Sequence, residues 1–469
     1  METRKPVVAF VGFGEVNSPR DLIERKCAAA RDALVAQSVD VVDIGVVSDD
    51  PEGKDVRRAQ EALAKARFDC IVLCVAGWIP SHAVVDTIID WRHVPVVLWG
   101  LCGQTEGGRL VTTADQAGTS ALRQPLVDLG FTVRYVYERP GAATHAGEVA
   151  SFARAACAAR LLRHSRIGLM GFRDMRLYGT LHDGVSLRRV VGPDVEAFEM
   201  LEMVQRAEKV PDADVKETLD YIRRSWTFQK AAPQEALEQG ARYYCALAAK
   251  VRERGYEAVS LIDVDGMKKL LGFPPGMLMA LLADRLGVCT IPENDTLGAV
   301  TQLCVRCLTG QIGAYLEHYE FYDDCLLMGV PDYVPAEVVD GKVTILPSTF
   351  GALGQSMLNV SRLKTGRVTL CRLVSSGDRY RMHAVAGEAR TPRAWEEAGW
   401  APPAPQLPGL EIALDSPVEE FAQKVLGQHY VLAYGDCRRT IGDLCAVLGV
   451  EAVQEDEVRC PRTEVRWCL

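Results

Sequence analysis

The sequence predicts an α/β fold: two three-layer domains built on parallel sheets, then a C-terminal domain of antiparallel, barrel-like β structure. Three observations carry this. Residues 5–163 alternate apolar β runs with helical stretches, and the runs are continuous in Val, Ile and Leu, as in strands buried on both faces. Residues 164–330 repeat the alternation with longer helices. After residue 330 the chain turns to short β runs broken by turns, and ten of the 23 prolines fall there, so the architecture changes at that point. The expected domains are 1–163, 164–330 and 331–469.

In the first domain, 6–14 (PVVAFVGFG) is a strand entering a glycine turn, followed by a helix over 19–37 and a strand over 39–47. A helix at 55–67, the strand 69–78 (DCIVLCVAGW), a helical stretch at 83–91 and the strand 94–101 come next. A glycine-rich loop, a helix at 113–129 and the strand 131–138 complete it. The Gly12-Phe13-Gly14 turn lacks the third glycine of a dinucleotide-binding loop, Ser18 and Pro19 following instead, and no lysine-bearing phosphate loop is present. The second domain opens with 166–179 (RIGLMGFRDMRLYG) and 186–200, then predicts helices over 200–209, 212–224 and 234–254, a strand over 256–264 and a helix over 276–286. The third contributes the β runs 342–349, 366–376, 378–390 and 410–416. It closes with a helix at 418–426, Gly427-Gln428-His429, a strand at 430–435 and a helix at 436–448.

Composition excludes several classes. With 469 residues, 48% hydrophobic and 25% charged, the chain is ordinary globular protein with room for more than one core. A net charge of −9 leaves no basic excess for nucleic acid. No apolar run approaches the roughly 20 residues that cross a bilayer, and the start lacks a signal-peptide pattern, so a cytoplasmic protein is expected. The 15 cysteines are scattered among apolar neighbours and read as buried thiols. Cys304 and Cys307 form a tight pair inside a predicted helix, without the second pair a zinc site would need.

The chemistry concentrates in 287–324. A β run at 288–291 leads to Glu293, Asn294 and Asp295 on a turn; a helix over 296–308 ends at Thr309-Gly310; a second β run at 311–316 delivers Glu317 and His318. The two glutamates are 317 − 293 = 24 residues apart. Read as a β-α-β unit, the two strands would be parallel neighbours, with their carboxyl ends bordering a ligand crevice. Two carboxylates there would share a hard divalent cation or exchange a proton with a substrate. His318 would point to the opposite face from Glu317. His383, in a period-two strand, reads as structural, and His82, His93, His145, His164 and His182 have no partner visible in sequence.

Glu293-Asn294-Asp295-Thr296-Leu297, then Leu308-Thr309-Gly310, then an acid after a hydrophobic run, resembles the central segment of the L-fucose isomerase family. Gly427-Gln428-His429 resembles that family's C-terminal histidine element, and 166–200 resembles the start of its second domain. Glu317 stands where the family usually has Asp; L-arabinose isomerases, more distant relatives, have a comparable Glu, Glu and His set. The resemblance implies two Rossmann-like domains and a C-terminal β domain, assembled as a homo-oligomer, a trimer or hexamer. It implies Mn2+ (or Mg2+) held by Glu293, Glu317 and His429, with the two glutamates handling the substrate proton. It places Trp78 on the sugar of a neighbouring subunit, alongside Gln428 and the 263–269 segment. In that segment Asp263, Asp265 and Lys268 replace a glutamine-bearing stretch, which would alter the hydroxyl pattern or charged group accepted.

The expected activity is therefore a metal-dependent aldose–ketose isomerisation of a small sugar through an ene-diol. The alternatives are an L-arabinose-type or other modified-sugar isomerase, or a non-catalytic sugar-binding protein of the same fold. No organic cofactor, nucleic acid or membrane is expected.

Overall fold

The computed structural model describes residues 4–349, 351–399, 404 and 406–453. The described residues up to His164, with Cys307–Gly310 and Arg439–Gly449, form one compact unit, and the remaining described residues form a second.

The first unit is a five-stranded parallel sheet. Its order is Asp40–Val47, Val7–Phe13, Cys70–Val75, Val96–Gly100, Val133–Tyr137. Alternate residues of the central strands feed two cores. Val8, Phe10, Val72 and Trp99 pack against the helices Arg20–Val35 and Ala146–His164. Ala9, Val11, Ile71 and Leu98 pack against Lys54–Lys65, Ser81–Ile88 and Asp115–Asp128. Both faces are covered, which is why these strands read as unbroken apolar runs. The glycine-rich loop carries a small hairpin, Gln104–Glu106 with Arg109–Val111, turned by Gly107 and Gly108 at φ 55 and 77. The helix Arg438–Leu448 supplies Asp443 to this unit, where its Oδ2 accepts the Ser151 hydroxyl at 2.7 Å.

The second unit holds a parallel sheet and a closed barrel. The sheet order is Cys289–Ile291, Ala258–Leu261, Arg166–Met170, Asp194–Phe198. The barrel has six antiparallel strands: Gly366–Ser376, His429–Tyr434, Ala314–Phe321, Leu326–Gly329, Gly409–Leu414 and Arg379–Arg390, which returns to the first. The short strand Glu451–Val453 adds in parallel to Arg379–Arg390.

Two sequence expectations are corrected here. The run over 311–316 does not continue the parallel sheet. After the helix Thr296–Thr309 the chain enters the barrel as Ala314–Phe321, pairing antiparallel with Leu326–Gly329 and His429–Tyr434. Glu317 therefore lies within an antiparallel strand, not beyond the end of a parallel one. The run at 342–349 also stays out of the barrel: Val343–Thr349 pairs with Trp226–Phe228 and Gln355–Asn359 in a separate three-stranded sheet. No helix among the described residues is long and apolar enough to cross a membrane.

Candidate active site

Three segments of the second unit meet near the carboxyl edge of its parallel sheet. The first follows the Cys289–Ile291 strand. Glu293 and Asn294 both adopt left-handed backbone, φ 63 and 52, a conformation costing roughly 1–2 kcal/mol for a residue with a β-carbon. Such strain persists where surroundings over-determine it, and Asn294 supplies the constraint. Its N–H donates to Leu261 O and its Nδ2 to Met170 O, each at 2.9 Å, so one residue spans the ends of two adjacent strands. Asp295 caps the helix Thr296–Thr309, its Oδ1 accepting the Gly298 N–H at 2.9 Å. The Asp295 carboxylate also accepts the Tyr315 hydroxyl and a forked pair of Arg372 N–H groups. Burial alone would raise its pKa, but the Arg372 guanidinium together with the Tyr315 and Gly298 hydrogen bonds holds it below the usual value.

A β-carbon at Gly298 would lie 2.6 Å from Asp295 Oδ2 and 2.9 Å from the Tyr315 ring. Gly298→Ala should therefore destabilise the protein by about 1–3 kcal/mol, the usual range for overpacking. The readout is the urea midpoint; an unchanged value would mean that this corner yields without strain.

The second segment is the barrel. Glu317 and His429 are direct cross-strand partners, so their side chains share a face with β-carbons about 4.5–5.5 Å apart. Tyr315 lies two residues earlier on that face and stacks on the His429 ring, centroids 4.3 Å apart and planes at 14°. Past His318 the register slips, leaving an extra residue on this strand. Tyr319, at the slip, packs on Trp395 with centroids 4.6 Å apart. The imidazole of His429 stands between two acids: Nδ1 is 3.9 Å from Glu293 Oε2 and Nε2 is 3.6 Å from Glu317 Oε2.

The third segment is one turn of π-helix, Asp263–Lys268. Asp174 fixes its start. Oδ2 accepts the N–H groups of Asp263 (2.9 Å) and Val264 (2.7 Å), and Oδ1 those of Asp265 (2.7 Å) and Met175 (3.0 Å). Lys268 Nζ then bridges Asp263 Oδ2 and Asp332 Oδ1, each at 2.9 Å, with all three side chains buried. Asp263 Oδ1 has no hydrogen-bond partner among the described residues.

Charge crowding and burial set the protonation states. Burial, then Asp332, Asp263 and Glu317, push the Glu293 carboxyl up to about 9. Burial, with Asp332 and Glu397 adding to it, pushes Glu317 up to about 7. Burial drives the His429 imidazole down to about 3, so the ring is neutral near pH 7. The donor set is thus two carboxyl groups, which would give up their protons to a cation, and a neutral imidazole, the chemistry a divalent cation takes. The 3.6 Å between His429 Nε2 and Glu317 Oε2 exceeds hydrogen-bond reach and is close to the roughly 3.0–3.4 Å separating two ligand atoms bound at about 2.1 Å to one ion. As they stand, no three such side chains among the described residues are gathered into a metal-holding group. Glu293 faces the other ring nitrogen and would have to turn to share the ion.

A pH dependence follows. Glu293 and Glu317 hold protons in the folded state up to about 9 and 7, whereas unfolded glutamates ionise near 4.3. Unfolding therefore releases protons from these two groups; the depressed His429 imidazole opposes this below about 6.5, so stability of the cation-free protein should fall as pH rises from about 6.5 to 9. Thermal unfolding across that range checks it, and added Mn2+ should reverse the trend by replacing the protons. A melting temperature flat in pH would contradict the crowding described.

The residues expected at the site are distributed as follows. Glu293, Glu317 and His429 come together, with Asp263 and Lys268 beside Glu293 in the buried bridge. Asp265 lies at the rim, accepting the Met175 N–H and the Lys269 ammonium, each at 2.8 Å. Gln428 is exposed, its carbonyl accepting the His318 N–H at 3.2 Å. Trp78 belongs to the first unit and is 40% exposed there. His318 turns away from Glu317 into an aromatic cluster with Phe321, Phe421 and Tyr430. His383 Nδ1 is 2.8 Å from the Tyr430 hydroxyl and its ring stacks on Phe421. Sequence reasoning missed Asp332, Asp174, Arg372 and Tyr315. Only Tyr315 had a local signal, two residues before Glu317 in one strand.

Fold and site together define an α/β protein whose parallel-sheet edge and barrel strands present two proton-holding acids to a neutral imidazole. No family model matches the chain. It is similar to the L-arabinose isomerase of Shouchella clausii (strain KSM-K16), 23% identical over 306 residues, covering 61% of this chain and 60% of that relative. It is also similar to the sulfoquinovose isomerase of Alkalicoccus urumqiensis, 21% identical over 383 residues, covering 79% of this chain and 82% of that relative. The chain thus spans 60% of the length of the L-arabinose isomerase it matches. Both relatives are sugar isomerases. Among solved structures, an ABC sugar transporter (periplasmic sugar binding protein) from Legionella pneumophila matches at 13% identity over 65% of this chain and 96% of that one, with a TM-score of 0.17.

Proposed function

We propose that this protein is an aldose–ketose isomerase acting on an open-chain sugar. The observation that carries the reading is the neutral His429 ring set between Glu293 and Glu317, two acids whose proton affinities are held apart, at about 9 and about 7. That separation assigns roles. Near neutral pH Glu317 is the group able to accept a proton from the carbon beside the carbonyl and return it to the neighbouring carbon. Glu293, the weaker acid, holds its proton in the cation-free site; with an ion bound it would be a ligand carboxylate that assists at the oxygens as the ene-diol forms. Tyr315 keeps the His429 ring in one plane, and Asp295 with Arg372 keeps the Glu293 turn in place.

Glu293, Glu317 and His429 would hold Mn2+ (or Mg2+). When bound, such an ion polarises the carbonyl and makes the adjacent C–H more acidic. Similarity to an L-arabinose isomerase and a sulfoquinovose isomerase supports the reaction class and leaves the sugar open between a neutral and an anionic one. The resemblance to L-fucose isomerases adds a homo-oligomer in which Trp78 covers a neighbour's site.

The experiment is a screen of aldoses for ketose formation, with and without Mn2+, alongside sedimentation analysis of the oligomer. Ketose formation that needs the metal supports the reading. Sugar binding without turnover would instead support a non-catalytic sugar-binding protein.

A further inference from the structure

One row of residues across the barrel strands extends the site beyond its two acids. Glu317 pairs directly with His429 on one side and with Gly329 on the other, and Gly329 pairs directly with Gly409. Direct partners present their side chains on one face, so two bare positions follow Glu317 on the face it shares with His429. Both are filled by rings from elsewhere. A β-carbon at Gly329 would stand 2.8 Å from Tyr319 Cε2 and 3.0 Å from the Trp395 ring, and one at Gly409 would stand 3.0 Å from Trp395 Cζ2. Two aromatic side chains therefore rest on bare backbone next to Glu317.

Tyr319 is brought there by the extra residue in its strand, a device that re-aims a side chain. Its hydroxyl is buried beside the Glu317 carboxyl, yet no group among the described residues meets it in hydrogen-bond geometry. A buried donor left unmet is costly. Trp395 holds it in that position. The segment 391–399 is anchored at Arg393, whose N–H and Nε donate to Glu411 and whose guanidinium lies 3.9 Å from the centre of the Tyr322 ring. Further along, Glu397 O accepts the Ala404 N–H at 3.0 Å. Between these anchors the half-buried Trp395 ring is laid on Tyr319, centroids 4.6 Å apart. Trp395 Nε1 is itself buried without a partner among the described residues, so packing on Tyr319 and the two glycines is what seats the ring.

The reaction supplies what this hydroxyl lacks. Glu317 accepts its proton from a carbon of the sugar chain, so a donor beside Glu317 lies against the hydroxyl-bearing carbon next to the reacting pair. The oxygen of that hydroxyl is an acceptor, and the faces of the two rings suit the C–H surface around it.

We propose that the Tyr319 hydroxyl donates to a hydroxyl of the open-chain sugar on the Glu317 side, and that Trp395 is the positioning residue that keeps it there. The proposal rests on the isomerase reading and adds to it a specificity-determining contact. A sugar with a hydroxyl at that carbon is favoured over its deoxy analogue, which leaves the buried donor unmet.

The test uses the full chain with Mn2+, a panel of pentoses and hexoses for ketose formation, and the matching alditols, open-chain polyols without a carbonyl, for binding by titration calorimetry. Tyr319→Phe should raise KM and weaken alditol binding by about tenfold, with kcat and Mn2+ affinity little changed. Trp395→Ala should move KM the same way, Trp395→Phe should restore part of it, and Trp395→Ala added to Tyr319→Phe should cost nothing further. A fall in kcat with KM and alditol affinity unchanged would make the hydroxyl an orienting partner of Glu317 and overturns the sugar contact. Losses that add in the double variant overturn the role given to Trp395. Alditol binding that depends on Tyr319, without ketose from any aldose, upholds the contact and defeats the isomerase reading. Ketose formation with KM and alditol affinity that neither variant moves does the reverse, and an absence of both binding and turnover defeats the two together.

Discussion

Replacing Glu293 with glutamine should abolish isomerisation while leaving the fold intact or slightly more stable. Glutamine has the shape of the protonated acid, and Glu293 holds its proton up to about 9 in the crowd of Asp332, Asp263 and Glu317. The substitution therefore removes a latent negative charge from a place where burial and like charges already oppose it. What it removes from the reaction is a carboxylate that can bind the cation and handle the substrate proton. General acid–base groups contribute about 10²–10⁴-fold, so kcat should fall by at least that range. Glu317→Gln should cause a loss of the same order by removing the acceptor. The checks are ketose formation and Mn2+ affinity beside an unchanged circular dichroism spectrum. Residual activity within tenfold of wild type would remove Glu293 from the chemistry.

Much of this was legible in the chain itself, and the failures have definite physical causes. The first-unit strands announced themselves because both of their faces are buried, so every position from Cys70 to Val75 is apolar. The Glu293 turn showed because a short strand, a polar turn and a capped helix follow one another locally. Glu317 was placed on the wrong kind of strand. The polar run Glu317, His318, Tyr319 and Glu320 belongs to the strand Ala314–Phe321 itself, and such a run departs from the continuous apolar pattern of a strand buried on both faces of a parallel sheet. The consequence is mechanistic. Antiparallel pairing sets Glu317 directly against His429, 112 residues later in the chain (429 − 317), through backbone register. Asp174, Asp332 and Arg372 were invisible for a related reason. Each acts across more than sixty residues, on Asp263, Lys268 and Asp295 respectively, and no local pattern marks such a partner.

The largest effect on stability should come from Lys268→Met. Lys268 lies 2.9 Å from both Asp263 and Asp332, with all three groups buried. Methionine preserves most of the side-chain volume and removes the charge, leaving two buried carboxyls facing each other beside Glu293. Breaking a buried ion pair by deleting one partner costs about 3–5 kcal/mol. The loss should also depend on pH in a fixed direction. Burial, then Asp332, already pushes the Asp263 carboxyl up to about 8 despite the ammonium, and removing the ammonium raises it further. An acid whose folded pKa is raised binds more protons folded than unfolded, so stability falls as pH rises between the two values. Near pH 5 the variant can hold its carboxyls protonated and should approach wild type; near pH 8 it cannot, and the gap should be widest. Urea midpoints at the two pH values measure this, and Lys268→Met combined with Asp332→Asn should recover part of the loss at the higher one. A deficit that is equal at both pH values would mean that the methionine fails through packing, and that the ammonium is not what keeps two aspartates folded against the Glu293 turn.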